Sequence, residues 1–231
     1  MAATGEASFT GRVKLGRAGL IRRVRWRDAV LARGAAVVVR SERGTELATL
    51  IDEPSPAGDT EPVDESRVSE EVRYLRPATP RDHERISSEI PTAEAEGLEF
   101  FKAQVGQLEL PMNPVEVEQV LGGERMIFFF TSEKRVDFRG LVRILAQRFR
   151  TRVELRRVNP RELAVLQGGL GICGREICCK CWLAELLPVT IKMARLQQRP
   201  ISVDSNLGTC GRLRCCLRYE LENYGGCCKG S

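Results

Sequence analysis

VEVEQVLGGERMIFFFTSEKRVDFRGLVRILAQRFRTRVELRRV, residues 115–158, decides the fold. VEVEQVL and ERMIFFFT are strand-like runs separated by Gly122-Gly123, a two-residue hairpin signal. Asp137 stands where it can cap a helix running FRGLVRILAQRF, with Leu141, Ile144, Leu145 and Phe149 on one face. TRVELRRV follows as a further strand. Upstream, Thr79 is an N-cap candidate, Pro80 fits the first helical position, and Asp82 and Glu84 fall in the first turn. Ile86, Ile90, Ala93, Leu98, Phe101 and Val105 give that helix an apolar stripe, which Pro91 threatens to kink. The order helix–strand–strand–helix–strand predicts an α+β fold, its helices on one face of a sheet.

Towards the N-terminus, FTGRVKL, GLIRRVRW, AAVVVR and TELATLI are short strands separated by Gly and charged turns. They predict a small barrel or curled sheet. DEPSPAGDTEP, 52–62, reads as a loop. After residue 160 both periodicities fade and Gly and Cys dominate, with one apolar piece, WLAELLPVTIKMARLQQ. The expected division is 9–75, a β-rich unit; 76–160, the α+β domain; and 161–231, an irregular cysteine-rich segment.

The chain has 231 residues and a net charge of +5, a mild bias that permits a nucleic-acid partner without requiring one. Its N-terminus lacks an apolar core of signal-peptide length, and its apolar runs are too short to span a membrane. A soluble cytoplasmic protein without membrane insertion is expected. In a reducing cytosol a disulfide framework is disfavoured. Yet nine cysteines crowd between Cys173 and Cys228, and the first 172 residues hold none.

Six of the nine come from a phrase written twice. GICGREICC, 171–179, and GTCGRLRCC, 208–216, both fit G-x-C-G-R-x-x-C-C. The candidate metal ligands are Cys173, Cys178 and Cys179 in one copy, and Cys210, Cys215 and Cys216 in the other. Thiolate is a soft donor that selects zinc, copper(I) or iron–sulfur clusters. Zinc and cubane clusters both usually take four ligands. Three sulfurs per copy therefore predict a site shared between the copies, or completed by Cys181 or by another chain. Gly171, Gly174, Gly208 and Gly211 allow sharp turns with amides aimed at sulfur. Arg175 and Arg212 can balance an anionic centre. Zinc is disfavoured by the lack of tandem C-x2-C spacing and by a single remote histidine, His83. Buried structural cysteine and redox-active thiols remain alternatives.

Other candidates have simpler explanations. In a strand, Arg150, Arg152 and Arg156 would share a face that could meet RNA phosphate, but a solvated sheet face explains them as well. His83 has no paired nucleophile. Glu133 and Asp137 near Lys134 and Arg135 fit capping and turn chemistry. Trp26 suits a core and Trp182 an interface. No phosphate-binding loop or nucleophile elbow appears, so no enzyme is expected.

At RPATPRD (76–82), LPMNPVEVE (110–118), FFFTSEKRVDFRGLVRILAQRFRTRVELRRV (128–158), GGLGICGREICC (168–179), LPVTIKMARLQ (187–197) and GTCGRLRCCLRYE (208–220) the sequence resembles the RicT (YaaT) family. These bacterial proteins carry the polymerase-suppressor C-terminal domain, and the likeness runs from about residue 9 to 220. It implies a non-enzymatic regulatory subunit that binds a [4Fe–4S] cluster together with RicA-like and RicF-like small helical proteins. It implies an action on mRNA processing and decay by an RNase Y-type endoribonuclease, affecting biofilm formation, competence or sporulation. The family's motif maps onto Cys173, Cys178, Cys179, Cys210, Cys215 and Cys216, and Cys181, Cys227 and Cys228 fall outside it. The alternatives carried beside it are a zinc-stapled nucleic-acid-binding protein and a thiol redox protein.

Overall fold

The computed structural model describes residues 8–16, 19–27, 31–56, 71–183, 187–197 and 206–224. The chain divides into two compact units, 1–157 and 158–231. Among the described residues no helix is long and apolar enough to cross a membrane.

The first unit opens with β1 (Ser8–Leu15), β2 (Leu20–Arg27), β3 (Ala36–Ser41), β4 (Gly44–Leu50), β5 (Ser55–Pro56) and β6 (Glu71–Pro77). β1 pairs with β2 and β4, β3 with β4 and β6, and β2 with β6. Those five strands therefore close into a ring, which removes free sheet edges. Their alternate side chains fill the barrel: Val13, Leu15, Val24, Trp26, Val37, Val39, Ala48, Leu50 and Val72. Trp26 is a core residue, as expected, stacked on Phe9. Two features depart from the sequence reading. The 52–62 stretch contributes β5, which pairs with Phe9 and Thr10, while its residues 57–62 lie outside the described ones. β6, which closes the ring, was not anticipated.

α1 (Pro80–Glu84) begins at Thr79 in a reciprocal capping box with Asp82. Asp82 also takes two bonds from Arg76, at 2.5 and 2.9 Å. The Arg76 guanidinium holds its carboxyl well below the usual carboxylate range. A π-helical stretch, Arg85–Glu89, then leads into α2 (Ile90–Gln107). Pro91 has no N–H to offer and its ring crowds the preceding turn. The wider turn accommodates it without ending the helix, so the expected kink is a π segment.

β7 (Asn113–Gln119), β8 (Arg125–Thr131), α3 (Arg139–Phe149) and β9 (Arg152–Arg157) complete the α+β part. β7 and β8 are antiparallel, and β8 and β9 are parallel across α3. Met126, Phe128 and Phe130 of β8 share one face and pack with Phe101 and Val105 of α2 and Leu141 and Leu145 of α3. Both helices therefore lie on that face, in the expected α+β arrangement. Asp137 is not the N-cap of α3. Phe138 takes that position, and Asp137 instead accepts from the Arg139 amide at 3.1 Å and from its side chain. Arg150 is not in β9: it ends α3 in the left-handed conformation, φ 50°. It therefore does not share a strand face with Arg152 and Arg156. Arg156 lies over the Phe129 ring at 5.9 Å.

The hairpin turns of barrel and sheet meet within this unit. Gly122 N donates to Thr45 O at 3.1 Å, and Thr45 N donates to Glu124 at 2.8 Å. Buried Arg43 reaches Glu118 at 2.6 Å.

The second unit contains α4 (Pro160–Gln167), α5 (Cys178–Cys181), α6 (Ile191–Leu196), α7 (Cys216–Tyr219) and a 3-10 turn, Leu221–Tyr224. α4 was not expected where periodicity fades. Asn159 caps it, accepting from Arg161 N and Glu162 N, while Glu162 accepts from Asn159 N at 2.8 Å. Pro160 occupies the first turn.

Candidate functional site

The repeated phrase is a repeated structure. In the first copy Leu170 bridges Glu176, Gly171 N donates to Arg175 O at 2.8 Å, and Gly174 N donates to Gly171 O at 2.9 Å. In the second, Leu207 bridges Leu213, Gly208 N donates to Arg212 O at 2.8 Å, and Gly211 N donates to Gly208 O at 2.9 Å. Gly174 and Gly211 have φ of 75° and 70°, a region that penalises any residue with a Cβ. Each copy is thus a tight loop that holds one cysteine at its tip and runs into a short helix carrying vicinal cysteines. A Cβ at Gly171 would lie 3.5 Å from Cys173 Sγ, and one at Gly208 would lie 3.7 Å from Cys210 Sγ.

The helices present equivalent residues to each other. Trp182 and Tyr219 hold the same place relative to the two motifs, and their rings meet edge to face at 4.6 Å. Contact between like positions is what two copies facing across a local two-fold relation would give. Both copies line a single cavity of about 710 Å³. Cys173, Cys178, Cys179, Cys210, Cys215 and Cys216 all line it, and Cys181 joins them. All seven are free thiols. Cys227 and Cys228 lie outside the described residues.

Charge around the cavity differs from the sequence reading in one respect. Arg175 lines it, but its counterpart Arg212 faces a different cavity. Arg214, which the motif leaves as a variable position, lines the cysteine cavity instead, and its Nε and Nη2 are buried without a hydrogen-bond partner among the described residues. Burial pushes the Cys179 thiol up, and nearby Cys215 adds to this. Burial pushes Cys215 up as well, opposed by the cation of Arg161. Arg161, on α4, donates from Nη2 to Leu213 O at 3.2 Å and so ties the first helix to the second loop.

These residues fit a soft, anionic centre. The donors are sulfur, and the nearby cations include buried nitrogens without a hydrogen-bond partner among the described residues. Among the described residues no group of three His, Cys, Asp or Glu side chains is arranged to hold a single metal ion. The remaining candidates are scattered. His83 is exposed on α1, Glu133 and Lys134 form a turn, and Trp182 is about half exposed beside the cavity. The cysteines were readable from the repeat. Buried Arg161 and half-buried Arg214 were not, because no spacing rule marks such a cation.

Comparison with known proteins locates this architecture. The PSP1 C-terminal conserved region matches residues 72–158, from the strand that closes the barrel to the end of the α+β sheet. The third domain of PSP1-like proteins matches residues 188–230. Stage 0 sporulation protein YaaT of Bacillus subtilis is 35% identical over 191 residues, covering 82% of this chain and 67% of that protein. An uncharacterized protein of Schizosaccharomyces pombe is 30% identical over 115 residues, half of this chain and 14% of its own length. No solved structure matches. With the PSP1 region laid over the sheet and identity extending across most of the chain, the protein belongs to the YaaT/PSP1 family.

Proposed function

We propose that this protein is a non-enzymatic regulatory subunit that binds an iron–sulfur cluster, of the [4Fe–4S] type, in the cavity between its two cysteine loops. The observation that carries the reading is that both loops, with the same internal hydrogen bonds, line one cavity. Cys173, Cys178, Cys179, Cys210, Cys215 and Cys216 are the ligand candidates, with partner cysteines completing coordination. The cluster would supply a redox-sensitive, oxygen-labile charge centre. Arg175 and Arg214 would offset its negative charge. A cluster is larger than one ion and spaces its sulfurs further apart, which suits side chains that do not converge on a point. This weighs against zinc.

Family membership supports only the coarser part of the wider role. The Bacillus relative is named for an early stage of sporulation, and a regulatory role in development is carried over on that ground. We assign the action to mRNA processing and decay through an RNase Y-type endoribonuclease, with RicA-like and RicF-like helical proteins as partners. Cluster occupancy would order the loops and so gate assembly. Anaerobic purification, alone and with co-expressed helical partners, tests the reading. Iron and sulfide in similar amounts, with a broad absorption near roughly 400 nm that oxygen bleaches, are expected. Stoichiometric zinc without iron, or metal-free protein in both preparations, would reject it.

A further inference from the structure

Behind the second cysteine loop lies another cavity, of about 570 Å³, lined by none of the cysteines. Val189, Ile191 and Ala194 form part of an apolar wall, and two guanidinium groups, Arg161 and Arg212, border it, with no acidic residue in its lining among the described residues. Arg212 is exposed. Arg161 is only 6% exposed. Among the described residues its guanidinium makes one hydrogen bond, to Leu213 O, and its Nε is buried with no partner. No carboxylate pairs with it among the described residues. A guanidinium cannot shed its proton to escape burial, and a buried charge without a counter-charge is costly. Arg161 borders this cavity and not the cysteine one.

We propose that this cavity binds a small organic anion: a carboxylate or phosphate group held by the fork of Arg161, with Arg212 at the mouth, and an apolar body against Val189, Ile191 and Ala194. Cavity size agrees. It falls within the roughly 300–1,000 Å³ of small-molecule sites and exceeds what a bare inorganic ion would fill. Planar guanidinium recognises such groups through paired hydrogen bonds. The opposite side of the same loop carries Cys210, so the ligand would touch the loop without touching sulfur.

Calorimetric titration of the full chain under reducing conditions tests this, with octanoate as probe and 1-octanol and inorganic phosphate as controls. Octanoate is expected to bind at one site, at least tenfold more tightly than either control. Arg161→Gln should weaken it tenfold or more. Val189→Trp, which fills the cavity and keeps the charge, should abolish binding, with an unchanged melting profile showing that the fold survives. Should Arg161→Gln fail to fold, the Val189→Trp result decides. Octanoate that does not bind, octanol that binds as well, phosphate that binds as tightly, or affinity unaltered by Val189→Trp would each overturn the assignment. Iron content reads the other cavity, so this proposal and the cluster reading fail separately.

Discussion

The two units solve the problem of burial in opposite ways. The first folds on apolar area: a closed barrel around Trp26 and a sheet whose Phe128 is fully buried. Its buried charges are matched, Arg43 by Glu118 and Glu46, and Asp82 by Arg76. The second has short helices and leaves Leu170, Ile172, Trp182, Ile191 and Tyr219 about half exposed or more. Its buried Arg161 and half-buried Arg214 have no carboxylate partner among the described residues. The first unit thus carries its own complement of interactions, while the second has the donor set and charges of a unit organised around ligands.

The largest expected effect lies in the first unit. Phe128→Ala should cost about 3–5 kcal/mol, through lost burial and the cavity left behind. Urea unfolding would read it, and the loss should be the same with or without metal. A loss that metal reversed would break the contrast between the units.

Asp82→Ala removes the capping box and the Arg76 pair together and should cost about 2 kcal/mol. The pH dependence has a definite sign. A depressed folded pKa gives stability that is present above the ordinary carboxylate value of about 4 and is lost as pH falls below it. Acid titration of the wild type should show this loss, and Asp82→Asn should lack it.

How far the sequence foretold this contrast differs by element. Residues 115–158 were legible because alternation, Gly122-Gly123 and a helical stripe agree with one another. β6 was not: Val72 and Tyr74 alternate with Glu71 and Arg73, Arg76 falls in phase with the apolar pair, and the strand's partners are distant in sequence. Nothing local says that a strand so charged closes a barrel. The signal for α4 was present, Asn159-Pro160 with Glu162 three residues after the cap, but an eight-residue helix before two glycines gives little periodicity. For the site, the repeat exposed the cysteines, and local symmetry misled on the arginines. Arg175 and Arg212 occupy like positions yet border different cavities.

In the second unit, left-handed turns should be equally costly in both copies. Gly174→Ala and Gly211→Ala should each cost about 1–2 kcal/mol, read by melting of metal-free protein. Unequal losses would show that the copies are not equivalent.

The smallest effect concerns metal-free protein at alkaline pH. Cys179 and Cys215 have raised pKa values, so the stability they contribute is present below the ordinary thiol value of about 8.5 and fades as pH rises through the higher folded value. Melting between pH 7 and 10 should show a decline that Cys179→Ser with Cys215→Ser reduces. A flat profile would remove burial of these thiols from the account.

The most direct test of the central claim, one centre shared by two loops, is iron and sulfide per chain in Cys173→Ala and Cys210→Ala, each prepared anaerobically with co-expressed partners beside the wild type. A shared centre predicts that either substitution alone removes most of both elements. Retention of half in each variant would mean two independent sites and contradict it.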